Sequence, residues 1–168
     1  MDEAAKVLSR IVNDEHFISR QGKSRHELWM QLCDILTQHP ELIHSVRVEP
    51  IIRSALAKYT NEVGKLWTSL ADYYVRLGNF EKARDVFEEG INSVVTVRDF
   101  SQIWEAYNQF EYGLITAHMD EQQDPALVDA FELRMARFED LIDRQPLLIS
   151  NVLLRQNPHN VYVRNLPN

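Results

Sequence analysis

Gly64-Lys65-Leu66-Trp67-Thr68-Ser69-Leu70-Ala71-Asp72-Tyr73-Tyr74-Val75-Arg76-Leu77-Gly78-Asn79-Phe80-Glu81-Lys82-Ala83-Arg84-Asp85-Val86-Phe87 is the stretch whose reading decides the fold. Trp67, Leu70, Ala71 and Tyr73 recur at helical spacing, which places an apolar stripe about 100° wide along one helix and calls for a partner. Gly78-Asn79 then offers a C-cap glycine followed by an N-cap asparagine. Phe80, Ala83, Val86, Phe87 and Ile91 repeat the helical spacing beyond it. The stretch therefore predicts an antiparallel helical hairpin, with Gly78 at positive φ.

The hairpin is one of a series. Trp29, Trp67 and Trp104 lie 38 and 37 residues apart; each follows an apolar residue (Leu28, Leu66, Ile103) and is followed three positions later by Leu32, Leu70 or Tyr107. Trp104, Tyr107, Phe110 and Glu111 form a third leading helix, and Trp29, Leu32, Cys33 and Ile35 a first. Repetition at this period marks two-helix units that cannot bury their apolar faces singly and must stack.

Local chemistry sets the remaining boundaries. Ser24 with Glu27 has the spacing of a capping box, and the helix it opens should end near His39-Pro40. Glu49-Pro50 places proline at the first helical position, ahead of Ile51, Ile52, Ala55, Leu56 and Tyr59. Asp99 with Gln102 resembles a second capping box before Trp104. Asp124-Pro125 opens a helix carrying Val128, Phe131, Met135, Phe138 and Ile142. The β-branched run Val94 to Val97 is too short and too enclosed by helices to argue for a sheet.

The expected fold class is all-α: a right-handed α-α superhelix, or solenoid, of about three helical hairpins plus a leftover N-terminal helix. Its expected divisions are a trailing helix over 2–13, units over 24–60, 62–95 and 99–144, an acidic inter-helix loop over 116–125, and the start of a truncated next unit over 145–168. Ends without stacking neighbours should expose apolar faces and favour self-association.

Composition narrows the function classes. With 168 residues, 45% hydrophobic, the chain can bury one continuous core. No apolar stretch is long enough to cross a bilayer, and Met1-Asp2-Glu3 is acidic where a secretory leader is basic. One cysteine, Cys33, cannot form an internal disulfide, which points to a reducing compartment. Net charge is −7, and between Asp120 and Asp143 eight acidic residues face two basic ones. Such a surface repels nucleic-acid phosphates, so direct RNA contact is not supported by charge, even with Arg20, Lys23 and Arg25 clustered near one another.

The order Trp67, Leu70, Ala71, Tyr73, Gly78-Asn79, Ala83-Arg84, Val86-Phe87-Glu88 resembles the half-a-tetratricopeptide (HAT) repeat. Trp104, Tyr107, Phe110 and Glu111 match its leading helix, and its second helix aligns loosely in the third unit through Phe138-Glu139. Within that class, Thr96-Val97-Arg98-Asp99-Phe100 and Leu153-Leu154-Arg155-Gln156-Asn157-Pro158-His159 resemble the Syf-type family of pre-mRNA splicing factors, also known as XPA-binding HAT proteins. There are departures. Tyr74 and Leu36 stand where the repeat has Glu seven positions after its Trp, and Glu89-Gly90 replaces the Arg-Ala after its Phe-Glu pair. These weaken the expectation of a Glu-to-Arg contact recurring between helices. After His159 the resemblance ends.

The resemblance implies a nuclear scaffold of pre-mRNA splicing. It implies protein partners, namely other HAT-repeat proteins, a helicase and subunits of the NineTeen-associated assembly, with a link to transcription-coupled repair. From the residues themselves no enzyme activity, cofactor, metal, membrane or small-molecule substrate is expected. The residues expected to carry the repeat are structural: Trp29, Leu32, Trp67, Leu70, Ala71, Tyr73, Gly78, Ala83, Val86, Phe87, Trp104, Tyr107, Phe110, Glu111 and Phe138.

Rival functions find little in the residues. His39, Glu41 and His44 flank Pro40 without the helical His pair of a zinc hydrolase. Cys33 sits in an apolar register where a thiolate is not favoured. Asp120 to Asp124 lacks the glycine and ligand spacing of a calcium loop. A tetratricopeptide-like adaptor gripping a peptide carboxylate would use Lys65, Arg76, Lys82 and Arg84, which scatter over different helix faces. Another HAT-type scaffold, in pre-mRNA 3′-end or rRNA processing, shares the same fold.

Overall fold

The computed structural model describes residues 2–14, 18–19, 22–38, 47–117 and 125–159. Among them every regular element is a helix: α1 (Asp2–Asn13), α2 (Arg25–Gln38), α3 (Val48–Lys58), α4 (Val63–Arg76), α5 (Phe80–Ser93), α6 (Val97–Ala117) and α7 (Pro125–Gln156). The chain divides into two compact units, Met1–Phe87 and Glu88–Asn168.

In the first unit α2 is central, packing against α1, α3 and α4, while α3 also packs against α4. Leu28, Trp29, Leu32, Cys33 and Leu36 from α2 are buried with Val48, Ile52 and Ala55 from α3 and Leu66, Trp67, Leu70 and Ala71 from α4. Ala5 and Val12 of α1 complete this core. In the second unit α6 packs along α7. Phe100, Ile103, Trp104, Tyr107 and Ile115 are buried there, as are Leu141, Leu148 and Val152.

Local chemistry explains most of the ends. The Ser24–Glu27 box is formed: the Ser24 amide donates to Glu27 Oε2 at 2.7 Å and the Glu27 amide donates to Ser24 Oγ at 3.2 Å. Between α4 and α5 the Gly78 amide donates to the Val75 carbonyl and the Asn79 amide to the Tyr74 carbonyl, with Gly78 at φ 73°. That is a Schellman turn, and its left-handed residue favours glycine. Asn79 Oδ1 then accepts from the Lys82 amide at 3.2 Å and caps α5. α4 starts differently: Glu62 precedes it at φ 57°, a left-handed conformation costly for a residue with a Cβ.

Three boundaries differ from expectation. Pro50 is the third residue of α3, not the first, because α3 begins at Val48. The whole first turn of a helix leaves its amides unbonded, so a proline is tolerated throughout it. The cap before Trp104 is Thr96 answered by Asp99, with no role for Gln102 as the answering residue: the Asp99 amide donates to Thr96 Oγ1 at 3.1 Å and Thr96 Oγ1 donates to Asp99 Oδ2 at 2.5 Å. Thr and Asp are both good N-caps, and starting at Thr96 adds helical turn over Val97 to Asp99 and buries Phe100.

The third difference is in α7. It runs unbroken from Pro125 to Gln156, through Pro146, where a unit boundary at 144/145 was expected. A proline inside a helix costs about 3 kcal/mol or more. Here Leu141 precedes it and Leu148 and Val152 follow it on one buried face, so ending the helix would forfeit burial on the far side. The expected loop 116–125 falls mainly on 118–124, which lie outside the described residues, as do His39, Pro40, Glu41 and His44.

Charge is divided unequally between the units. Residues 1–87 hold 12 basic and 12 acidic side chains, whereas residues 88–168 hold 6 and 13, so the entire −7 belongs to the second unit.

Candidate functional site

Among the described residues no group of three His, Cys, Asp or Glu side chains could hold a metal ion. Burial pushes the Cys33 thiol up to about 12, which keeps it a protonated apolar filler at neutral pH. No helix among the described residues is long and apolar enough to cross a membrane.

The three indoles are interior, with 2%, 5% and 7% of the surface of Trp29, Trp67 and Trp104 exposed. In the first unit α3 supplies a cation to each neighbouring indole. Lys58 Nζ lies 5.3 Å from the Trp29 ring and the Arg53 guanidinium 5.9 Å from the Trp67 ring. Tyr59 adds an edge-to-face contact on Trp29, whose Nε1 has no hydrogen-bond partner among the described residues. Trp104 instead stacks on Phe100, 5.7 Å between centroids and 18° from parallel.

Of the other expected repeat residues, Leu32, Leu70, Ala71, Ala83, Val86, Phe87, Tyr107 and Glu111 are buried. Tyr73, Phe110 and Phe138 are half-buried, and Gly78 is exposed in its turn. Sequence reasoning missed the polar centres that join the helices. In the first unit Tyr74 Oη donates to Glu49 Oε2 at 2.5 Å, and Arg53 Nε donates to Glu49 Oε1 at 2.9 Å. The Tyr74 hydrogen bond first, then Arg53, holds the Glu49 carboxyl below the usual carboxylate range. Burial, then the bond to Glu49, raises the Tyr74 phenol above its ordinary value.

The second unit builds a larger centre on Glu88. Tyr107 Oη donates to Glu88 Oε1 at 3.2 Å, while the Arg144 guanidinium donates to both carboxylate oxygens, at 2.7 and 3.2 Å. Asp140 stands 2.9 Å behind the Arg144 Nε. Burial raises the Tyr107 phenol, assisted by the charges of Glu88 and Glu111. A Glu-to-Arg contact between helices therefore exists, made by the glutamate of the Phe87-Glu88 pair. Further along α7, Arg155 donates to the Val94, Asn92 and Ile91 carbonyls at 2.9, 2.8 and 3.2 Å, closing the C-terminal end of α5. The available signal was two arginines, Arg144 and Arg155, eleven residues apart on one face of α7.

The basic residues considered for a peptide clamp do not converge. Lys65 lies 3.9 Å from Asp34, Arg76 donates to the Gln38 carbonyl at 3.0 Å and Arg84 to Glu81 at 2.6 Å. Arg25 and Lys23 are likewise engaged, with the Asp14 carbonyl and Gln31, while Arg20 lies outside the described residues.

Comparison with known proteins agrees with this architecture. The family described as the pre-mRNA-splicing factor SYF1 middle HAT repeat matches residues 1–164. Pre-mRNA-splicing factor SYF1 of Homo sapiens is 53% identical over 169 residues, covering 96% of this chain and 19% of that protein. The syf1 homolog of Drosophila melanogaster is 49% identical over 96% of this chain and 19% of its own length, and SYF1 of Dictyostelium discoideum 48% identical over 95% and 19%. The chain spans about a fifth of the length of these curated relatives. It belongs to the SYF1 middle HAT-repeat family.

Proposed function

We propose that this member of the SYF1 family is a non-enzymatic scaffold segment of pre-mRNA splicing, acting in the nucleus by holding other spliceosomal proteins. The observation that carries the proposal is identity of 42–53% to splicing factors over 95% or more of the chain, loops included. The interior supports it: indoles that fill the space between helices leave the helix exteriors for binding. In repeat terms, α1 is the trailing helix of a preceding unit, and α2–α3, α4–α5 and α6–α7 are three successive hairpins. The buried signature residues set the spacing within each.

The partners proposed are those that the resemblance implies: HAT-repeat proteins, a helicase and NineTeen-associated subunits. A pull-down from nuclear extract with the purified chain is expected to recover spliceosomal proteins. Recovery of chaperones alone would support a peptide-clamp adaptor and remove the splicing assignment.

A further inference from the structure

Glu62 holds a left-handed backbone for which its own helix gives no reason. It precedes α4 at φ 57° and ψ 31°, and its side chain makes no hydrogen bond that caps that helix. Its carbonyl opens α4 by accepting from the Lys65 and Leu66 amides, a role any residue could fill. Glycine or asparagine enters the left-handed region at lower cost. The Glu62 carboxylate reaches instead toward α2, where its Oε2 lies 3.9 Å from His26 Nε2. A strained residue kept in place by what its side chain does elsewhere points to a function for that side chain.

His26 shows the complementary irregularity. Its Nε2 is buried and has no hydrogen-bond partner among the described residues, a state that costs free energy. The ring is fixed by an edge-to-face contact with Tyr59, 5.0 Å between centroids and 77° between planes, and Tyr59 meets Trp29 in turn. Other charged groups around the imidazole are engaged. On α2 itself, Arg25 donates to the Asp14 carbonyl beyond the end of α1, and Glu27 accepts from the Ser24 amide. Lys58, at the end of α3, lies over the Trp29 ring, and Lys65 of α4 lies 3.9 Å from Asp34. The pair Lys65–Asp34 and the Arg76 bond to the Gln38 carbonyl also tie α2 to α4. Carboxylate, ammonium and guanidinium groups ordinarily keep their charge around neutral pH, whereas an imidazole gains or loses its own there.

We propose that His26 and Glu62 form a proton-dependent latch between α2 and the start of α4. When His26 takes up a proton, both ring nitrogens become donors, and Nε2 closes on Glu62 Oε2 as a charge-assisted hydrogen bond. The latch strengthens the joint between two neighbouring helices as pH falls through the range in which imidazoles titrate. It is lost as pH rises through that range.

The test is a double-mutant cycle: urea unfolding of the parent chain, His26→Gln, Glu62→Gln and the double variant, at about pH 5.5 and about pH 8. Circular dichroism at both pH values checks that each variant remains helical. At the lower pH the pair is expected to raise the folding equilibrium constant about twofold to fivefold, the range of partly exposed ion pairs, and less as salt rises. At the higher pH that factor should fall to about one. Glu62→Gly separates strain from latch, since it relieves the left-handed residue and deletes the carboxylate together. Its stability relative to the parent should therefore be better at the higher pH than at the lower. Coupling of equal size at both pH values would show an uncharged hydrogen bond and overturn the latch. Absence of coupling at both, or a Glu62→Gly effect that does not change with pH, overturns it as well. These outcomes concern the α2–α4 joint alone and leave the splicing assignment to the pull-down.

Discussion

The Glu49 and Glu88 centres solve one problem in two ways. In each, a glutamate on one helix accepts a hydrogen bond from a tyrosine on the next, Tyr74 or Tyr107, and pairs with an arginine. At Glu49 that arginine is Arg53, one turn along the same helix. At Glu88 it is Arg144, 56 residues away on α7, and it grips both oxygens. The first centre therefore joins two helices, and the second joins three. An i,i+4 pair forms within any helix of that sequence and adds little to tertiary order, whereas a bidentate pair between distant helices exists only once the fold is complete.

The steepest way to break the comparison is to remove the packing beside a centre. Trp67→Ala, which also strips Arg53 of its aromatic surface, should cost about 3–5 kcal/mol and melt the strip. A thermal melt superimposable on the parent would remove Trp67 from the core. The arginines come next. Arg144→Ala should cost about 1–2 kcal/mol, since Glu88 loses its bidentate partner, against about 0.5 kcal/mol for Arg53→Ala. Urea titrations giving equal losses would erase the distinction between local and tertiary pairing.

Gly78→Ala tests the turn between α4 and α5. Its Cβ would meet nothing within 4 Å, so the expected loss of about 1 kcal/mol comes from φ 73° alone. No loss in the same titration would show that the backbone relaxes without penalty.

Titration separates the centres at the two ends of the pH scale. The phenols of Tyr74 and Tyr107 are both raised, so the folded state keeps its proton where the unfolded chain has lost it. Their contribution is complete below about pH 10, the ordinary tyrosine value, and declines as pH rises beyond it. Tyr107→Phe should flatten that alkaline loss more than Tyr74→Phe, because Tyr107 is the more deeply buried; stability measured from pH 8 to 11 checks the order. On the acid side the depressed Glu49 carboxyl gives stability present above about pH 4.3 and lost as pH falls below it. Glu49→Gln should make the profile between pH 5 and 3 shallower, the smallest effect here.

What was legible followed from distance along the chain. The Ser24–Glu27 box, the Asn79 cap and the left-handed Gly78 involve groups within a few residues, so composition and spacing decide them almost alone. Pro50 and the cap before Trp104, expected at Asp99 with Gln102, were misplaced by a short step because several residues in each stretch satisfy the same capping chemistry, and burial of Ile52 or Phe100 selects among them. Pro146 reads as a boundary to any local rule. Its helix continues because Leu148 and Val152 are buried beyond it and Arg155 is fastened to α5.

The periodic tryptophans, the three-four apolar spacing and the turn residues determined, from sequence alone, an all-helical chain of paired helices and its kinship with a HAT-repeat family. They suffice because helix formation and capping are short-range, and a repeat states the same short-range solution several times. Only the tertiary structure decided that Glu88 meets Tyr107 and Arg144 and that Arg155 closes α5. Those outcomes depend on which helix faces touch, and a side chain 56 residues distant carries no local mark of the partner it will reach.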